Sequence, residues 1–277
     1  MEYIGEHILI GTIGQAFISI AFTAAILAAY SFYKSSINET LKSDWLPLAR
    51  GSFYTHGIAV IGIIVCMFIM IYNHYFEYQY VWQHSSKSLP THYMISCFWE
   101  GQEGSFLLWI FWNILLGLIL IRITKKWEAR VLTIVSTIQA FLSSMLIGIY
   151  VANIKIGSSP FVLVRNLDEN IGLPWTQMEN YLQIVPQFMD GRGLNPLLQN
   201  YWMVIHPPVL FLGFALTMIP FCYAISALWK KEYSKWINQA IPWAYAGISI
   251  LGTGILMGGA WAYESLSFGG FWLFGGF

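Results

Sequence analysis

Histidine, glycine and the aromatic residues are the side chains here whose chemistry stands out, and they gather at a few places. An imidazole nitrogen is the usual protein ligand for haem iron, and the chain holds six histidines. His206 stands directly before Pro207 and Pro208, which are expected to hold it out of the helical conformation at the mouth of an apolar run. The plainer reading of a lone histidine there is a helix-start residue or an interfacial hydrogen-bonder. A flat partner has its own signature in residues 268–277, where Gly269, Gly270, Gly275 and Gly276 alternate with Phe268, Phe271, Trp272, Phe274 and Phe277. Glycines let backbone approach a plane closely and aromatic rings stack on it, so a macrocycle such as haem fits. A plain interfacial hairpin or an inward-packed re-entrant segment fits as well.

Three further stretches share this composition and also sit where apolar runs begin or end: Trp99-Glu100-Gly101-Gln102-Glu103-Gly104-Ser105, Asn195-Pro196-Leu197-Leu198-Gln199, and Ile205 to Pro208. For any one of the thirteen tryptophans an interfacial belt is the bland explanation. Glu100 and Glu103 are read as favouring the positive end of a helix dipole rather than as an ion pathway. His56 falls inside an apolar run, where it is either a functional group or a satisfied interhelical hydrogen-bonder. His74, His84 and His92 share one loop, match no zinc spacing and are read as solvated or interfacial.

The elements that must position these residues follow from composition. Of 277 residues, 57% are hydrophobic and 10% charged, against about 25% charged in a typical soluble domain. Roughly 20 apolar residues cross a bilayer as a helix. The sequence therefore predicts an all-α, polytopic integral membrane helical bundle with about six transmembrane helices, in contact with lipid as one membrane domain over 1–277. The spans are about 8–33, 52–74, 104–122, 131–153, 207–228 and 239–262. Two long loops, 75–103 and 155–206, and the aromatic and glycine segment 263–277 lie on one side. The first run is too long for a signal-peptide core and follows acidic residues, so it reads as a retained helix. Lysine and arginine gather in short cytoplasmic loops, and Lys34, Lys42, Arg50, Arg122, Lys125, Lys126, Arg130, Lys230, Lys231 and Lys235 all fall opposite the long loops. Those loops are thereby assigned to the outer face. Zero net charge gives no sign of nucleic-acid binding, and Cys66, Cys97 and Cys222 read as buried fillers rather than a disulfide framework.

In order along the chain, these motifs resemble the integral membrane haem lyases of cytochrome c maturation, commonly called CcmF, and their CcsA-type relatives. Trp99 to Trp109 resembles the family's outer loop entering its third helix. Asn195-Pro196-Leu197-Leu198-Gln199 followed by His206-Pro207-Pro208-Val209-Leu210-Phe211-Leu212-Gly213 is the most specific segment. Ala260-Trp261-Ala262-Tyr263 and then Gly269-Gly270-Phe271-Trp272 resemble the approach to a tryptophan-rich haem platform. The resemblance implies a b-type haem in transit, with His206 as one iron ligand and Trp261, Gly269, Gly270, Phe271 and Trp272 in its seat. Trp99, Glu100, Gly101, Glu103, Gly104, Asn195, Pro196, Gln199, Pro207 and Pro208 carry the family pattern without an assigned catalytic role.

What else the resemblance implies is a bacterial inner membrane or its organellar equivalent, with the working face periplasmic. The reaction would be thioether formation on an apocytochrome c. A haem-delivery protein, other assembly proteins of the membrane, or a chain carrying the remaining part would be partners. The resemblance covers only the first part of a typical member, short of the helices that carry its second outer histidine. The family's platform also continues into a Trp-Asp pair, which Leu273, Phe274 and Gly275 do not supply. A scaffold subunit that no longer binds haem is therefore the alternative reading. A transporter comes third, and a cytochrome b subunit lacks the opposed histidine pairs it would need.

Overall fold

The computed structural model describes residues 3–37, 39–152 and 154–266. The apolar runs become helices because hydrocarbon offers no partner to a backbone N–H or C=O. Helices α1 (Ile8–Ile37) and α2 (Glu39–Tyr72) form a long antiparallel pair. Three short helices fold the first long loop: α3 (Gln79–His84), α4 (Thr91–Met94) and α5 (Cys97–Glu100). Helices α6 (Gln102–Ile123) and α7 (Glu128–Ser144) follow. The second long loop holds a small antiparallel hairpin, β1 (Ile149–Val151) and β2 (Ile154–Ile156), with Tyr150 opposite Lys155, and then α8 (Tyr181–Ile184). A second long pair, α9 (Tyr201–Lys230) and α10 (Ile237–Ser265), completes the bundle.

Among the described residues, five helices are long and apolar enough to cross a membrane: α1, residues 43–72 of α2, α6, α9 and α10. The chain is a multi-pass helical membrane protein. Helix α7 has 17 residues, about 26 Å at 1.5 Å per residue. It falls just short of that length test while packing against α1, α6 and α9. The fourth apolar run was expected to span 131–153, but its helix ends at Ser144. Ser158 N–H donates to the Met145 carbonyl at 2.8 Å, and positive φ at Gly148 (+65°) and Gly157 (+70°) folds the chain back on itself. A Cβ on Gly157 would stand 2.5 Å from the Met145 carbonyl oxygen, so the reversal depends on glycine.

The fifth span also departs from expectation. It begins at Tyr201 rather than Pro207, and His206 lies within the helix instead of being held out of it. The Asn200 side chain caps this start by accepting from Trp202 N–H at 2.9 Å. Proline at 207 removes the N–H that would bond the carbonyl four residues back. The helix passes through it because that carbonyl, of Met203, accepts from the Trp99 indole at 3.0 Å.

Both long loops and the hairpin lie at one end of the bundle, here the loop end. The opposite, basic end is tied by Arg50, which donates to both Glu128 carboxylate oxygens at 2.6 and 2.7 Å. At the loop end Arg165 donates to both oxygens of Glu6 at 2.7 and 3.1 Å, and the Tyr181 hydroxyl adds a bond at 2.9 Å. Burial also drives the Tyr181 phenol well above its ordinary range, which keeps it a donor. Glu6 is fully buried, so removing Arg165 would leave a lone interior charge, at a cost of about 3–5 kcal/mol.

Candidate functional site

The glycines of the first motif are required by close approach. A Cβ on Gly104 would overlap the Phe98 carbonyl, and one on Gly101 would stand 2.5 Å from the Tyr80 ring and 2.8 Å from His84 Nε2. Tyr80 ties this turn by donating to the Phe98 carbonyl at 2.7 Å and accepting from Gly101 N–H at 3.2 Å. Burial holds the Tyr80 phenol well above its ordinary pKa, so it stays protonated for that role. Glu100 then joins two loops: one carboxylate oxygen accepts from Asn195 N–H at 3.3 Å, and the other lies 3.1 Å from His84 Nδ1. His84 is only 16% exposed. Of the expected solvated or interfacial places, His84 is therefore not solvated but a partner of Glu100, while His92 is exposed and His74 half-buried.

The second motif folds against the first and against the end of α10. The Asn195 side chain accepts from Leu197 N–H at 3.0 Å, which starts a tight turn at Pro196, and Gln199 donates to the Leu194 carbonyl at 3.0 Å. The Trp261 indole donates to the Leu197 carbonyl at 2.9 Å, and the Asn200 amide reaches Glu264 at 3.3 Å and Ser265 at 3.2 Å. Helices α9 and α10 approach closely because Gly213, Gly254 and Gly258 leave room for Leu251, Leu210 and His206 respectively. His206 Nδ1 lies 2.8 Å from the Gly254 carbonyl. A carbonyl only accepts, so Nδ1 carries the proton and Nε2 keeps its lone pair. That Nε2 has no hydrogen-bond partner among the described residues.

A cavity of ≈ 390 Å³ opens here, lined by Trp99, Glu100, His206, Pro207, Phe211 and Trp261 among others. A neighbouring cavity of ≈ 510 Å³ shares Glu100, Ser105, Phe211 and Phe214 with it. Both are apolar hollows with a few polar groups, the usual make-up of a small-molecule site. A larger groove of ≈ 580 Å³ runs along α1 and contains none of the motif residues.

Trp99, Glu100, His206, Pro207 and Trp261 thus meet on one cavity, and Gly101, Gly104, Asn195, Pro196 and Gln199 shape its walls from behind. Glu103 occupies the first turn of α6, and Pro208 lies within α9; neither lines the cavity. Gly269, Gly270, Phe271 and Trp272 lie outside the described residues. Cys66, Cys97 and Cys222 are free and buried. His56 is fully buried and closed on both nitrogens, with Nδ1 2.9 Å from the Ala21 carbonyl and Nε2 3.0 Å from the Gln139 amide nitrogen. Residue types alone did not single out His84, the Met203 carbonyl or Gly254. The one available signal was the spacing of Gly247, Gly254 and Gly258, which falls on one helical face.

The cytochrome c assembly protein family model matches residues 99–275. The chain belongs to that family. It is 30% identical over 232 residues to the cytochrome c-type biogenesis protein CcmF of Haemophilus influenzae, covering 82% of this chain and 31% of that one. CcmF of Pseudomonas aeruginosa is 30% identical over 234 residues, covering 83% and 32%. The cytochrome c-type biogenesis protein NrfE of H. influenzae is 28% identical over 256 residues, covering 91% and 35%. The chain therefore spans about a third of the length of these relatives. The fold is similar to that of a solved cytochrome c haem lyase, CcmF, with a TM-score of 0.71 at 22% identity over 95% of this chain and 38% of that structure.

Proposed function

We propose that this family member takes part in cytochrome c maturation by holding haem at the loop end of its bundle for covalent attachment to an apocytochrome c. One observation carries the reading: His206, whose Nε2 has no hydrogen-bond partner among the described residues, lines a mostly apolar cavity walled by the three motifs that resemble the haem lyases. Three features fit haem: the open Nε2, the missing Cβ of Gly258 beneath the imidazole, and the aromatic walls. His206 would ligate the iron and Trp261 would flank the ring, with Gly269, Gly270, Phe271 and Trp272 extending the seat. Haem itself supplies the vinyl groups that react with cysteine thiols. The chain's residues bind and orient the ring, which turns an encounter of two large molecules into a local reaction. A partner chain, or the part of the family's length not spanned here, completes the site, and a haem-delivery protein and the apocytochrome meet it there. The charge asymmetry supports placing the loop end on the periplasmic side of a bacterial inner membrane, or its organellar equivalent.

The absence of the Trp-Asp pair favours a second reading, an assembly scaffold without haem. The deciding experiment isolates the complex from native membranes through this chain, and compares haem content and absorption spectrum for wild type and His206→Ala. Haem lost or re-ligated in the variant supports the proposal. Unchanged content and spectrum overturn the ligand assignment, and haem absent from both preparations favours the scaffold.

A further inference from the structure

Proline 207 leaves a carbonyl without its helical donor one turn from the proposed ligand, and a residue from a different element takes it. The Met203 carbonyl accepts from Trp99 Nε1 at 3.0 Å, with Ser96 Oγ at 3.5 Å. Trp99 is 8% exposed, and its own backbone carbonyl accepts from the Ser105 hydroxyl at 2.8 Å, so both its backbone and its indole are bonded. His206 follows Met203 by three residues on the same turn of α9. Its Nδ1 meets the Gly254 carbonyl at 2.8 Å, and the ring sits where a Cβ on Gly258 would come within 2.7 Å of Cε1. The direction of Nε2 thus depends on how the first turns of α9 lie against α10.

We infer that Trp99 is a positioning residue: its indole N–H, bonded to the carbonyl that Pro207 frees, sets the placement of α9 at which His206 donates Nδ1–H to Gly254 and keeps Nε2 unbonded on the side chain that lines the cavity. A carbonyl bonded to the second nitrogen, as Gly254 is here, orients a metal-binding histidine and fixes its tautomer, and losing that bond commonly lowers affinity about 10- to 100-fold. The motif tryptophan then acts through the backbone, without touching the ring it helps to place. The inference rests on the haem reading for its purpose but not for its test.

Trp99→Phe keeps an aromatic ring and removes only the donor. Adding Pro207→Ala restores a backbone N–H to the Met203 carbonyl. With haem bound, Trp99→Phe is expected to weaken binding at least about tenfold or change the ligation spectrum, and Trp99→Phe/Pro207→Ala is expected to recover most of that loss. An unchanged spectrum and affinity in Trp99→Phe, or a loss that Pro207→Ala does not recover, overturns the inference, because ring packing cannot be rescued by a backbone donor. In haem-free protein the same pair is read by the side-chain nitrogen shifts of His206. A single Nδ1–H tautomer is expected in wild type, a mixture in Trp99→Phe and the single form again in the double variant; one tautomer throughout overturns the inference. If the smaller ring prevents folding, benzothienylalanine at 99 keeps the bicyclic shape without the donor and gives the same two outcomes. Haem missing from wild type fails the functional reading alone, since the tautomer measurement still decides the role of Trp99.

Discussion

His56 and His206 are anchored alike on one side. Each points Nδ1 at a carbonyl of a neighbouring helix, Ala21 at 2.9 Å and Gly254 at 2.8 Å. They differ at Nε2. The His56 nitrogen is met by the Gln139 amide, whose second N–H goes to the Ile110 carbonyl at 3.1 Å and whose oxygen lies 3.4 Å from Asn113 Nδ2. His56 therefore links α1, α2, α6 and α7 within a buried polar network. The His206 Nε2 has no partner among the described residues, and the residue lines a cavity instead. An intramembrane histidine is a functional hypothesis by default, and these two differ both in depth, His56 being fully buried and His206 half-buried, and in whether the second nitrogen is already used.

The strongest way to break the contrast is His56→Ala. It should lower stability by about 3 kcal/mol, from the cavity and from stranding the Gln139 donor and Ala21 carbonyl. Thermal unfolding in detergent should show the drop, with haem per folded chain unchanged; haem lost at unchanged stability would make His56 the ligand. Gly258→Ala attacks the other side, since its Cβ would displace the His206 ring. A loss of about tenfold in haem affinity is expected, read by titration of the purified complex, with little change in unfolding temperature.

Gln139→Leu opens the Nε2 of His56 without making a ligand site, because His56 lines none of the cavities described. Its expected cost is about 1 kcal/mol, and the absorption spectrum of the complex should stay as in wild type. The smallest effect concerns Cys97, beside Trp99, whose thiol is pushed up to about 12 from an ordinary 9.0, chiefly by burial and then by Glu100. The native state thus holds this proton longer than the unfolded chain. Its contribution to stability is full below the ordinary value and fades as pH rises towards 12. At pH 8, alkylation of Cys97 should be slow in wild type and faster in Trp99→Phe, which makes it a gauge of how tightly the support of His206 is closed.

Much of this was legible from charge-free runs alone, because a lipid-embedded chain has few ways to pair its backbone. The errors came where pairing was not local. Pro207 and Pro208 read as a helix start, since nothing near them in sequence reveals that Trp99, more than a hundred residues earlier, supplies a donor to Met203. The apolar run through Val151 read as membrane-spanning, yet Gly148 and Gly157 turn it into a hairpin. His84 read as solvated or interfacial with no partner named, because its partner Glu100 lies on another short helix. At the site, His206, Trp99, Glu100 and Trp261 were found by type and by family resemblance, whereas the route connecting them runs through carbonyls that no side-chain pattern marks.

The ion pair between Glu6 and Arg165 has a consequence in time. The two residues stand 159 apart in the chain, and at about 5–20 residues per second of synthesis Glu6 waits roughly 8 to 30 s for its cation. A carboxylate destined for full burial must spend that interval among water and headgroups, so the first helix can enter the membrane early but cannot finish its loop-end seat. The cluster of Glu6, Arg165 and Tyr181 is accordingly late to close, and any chaperone that meets the unfinished protein will find that cluster open.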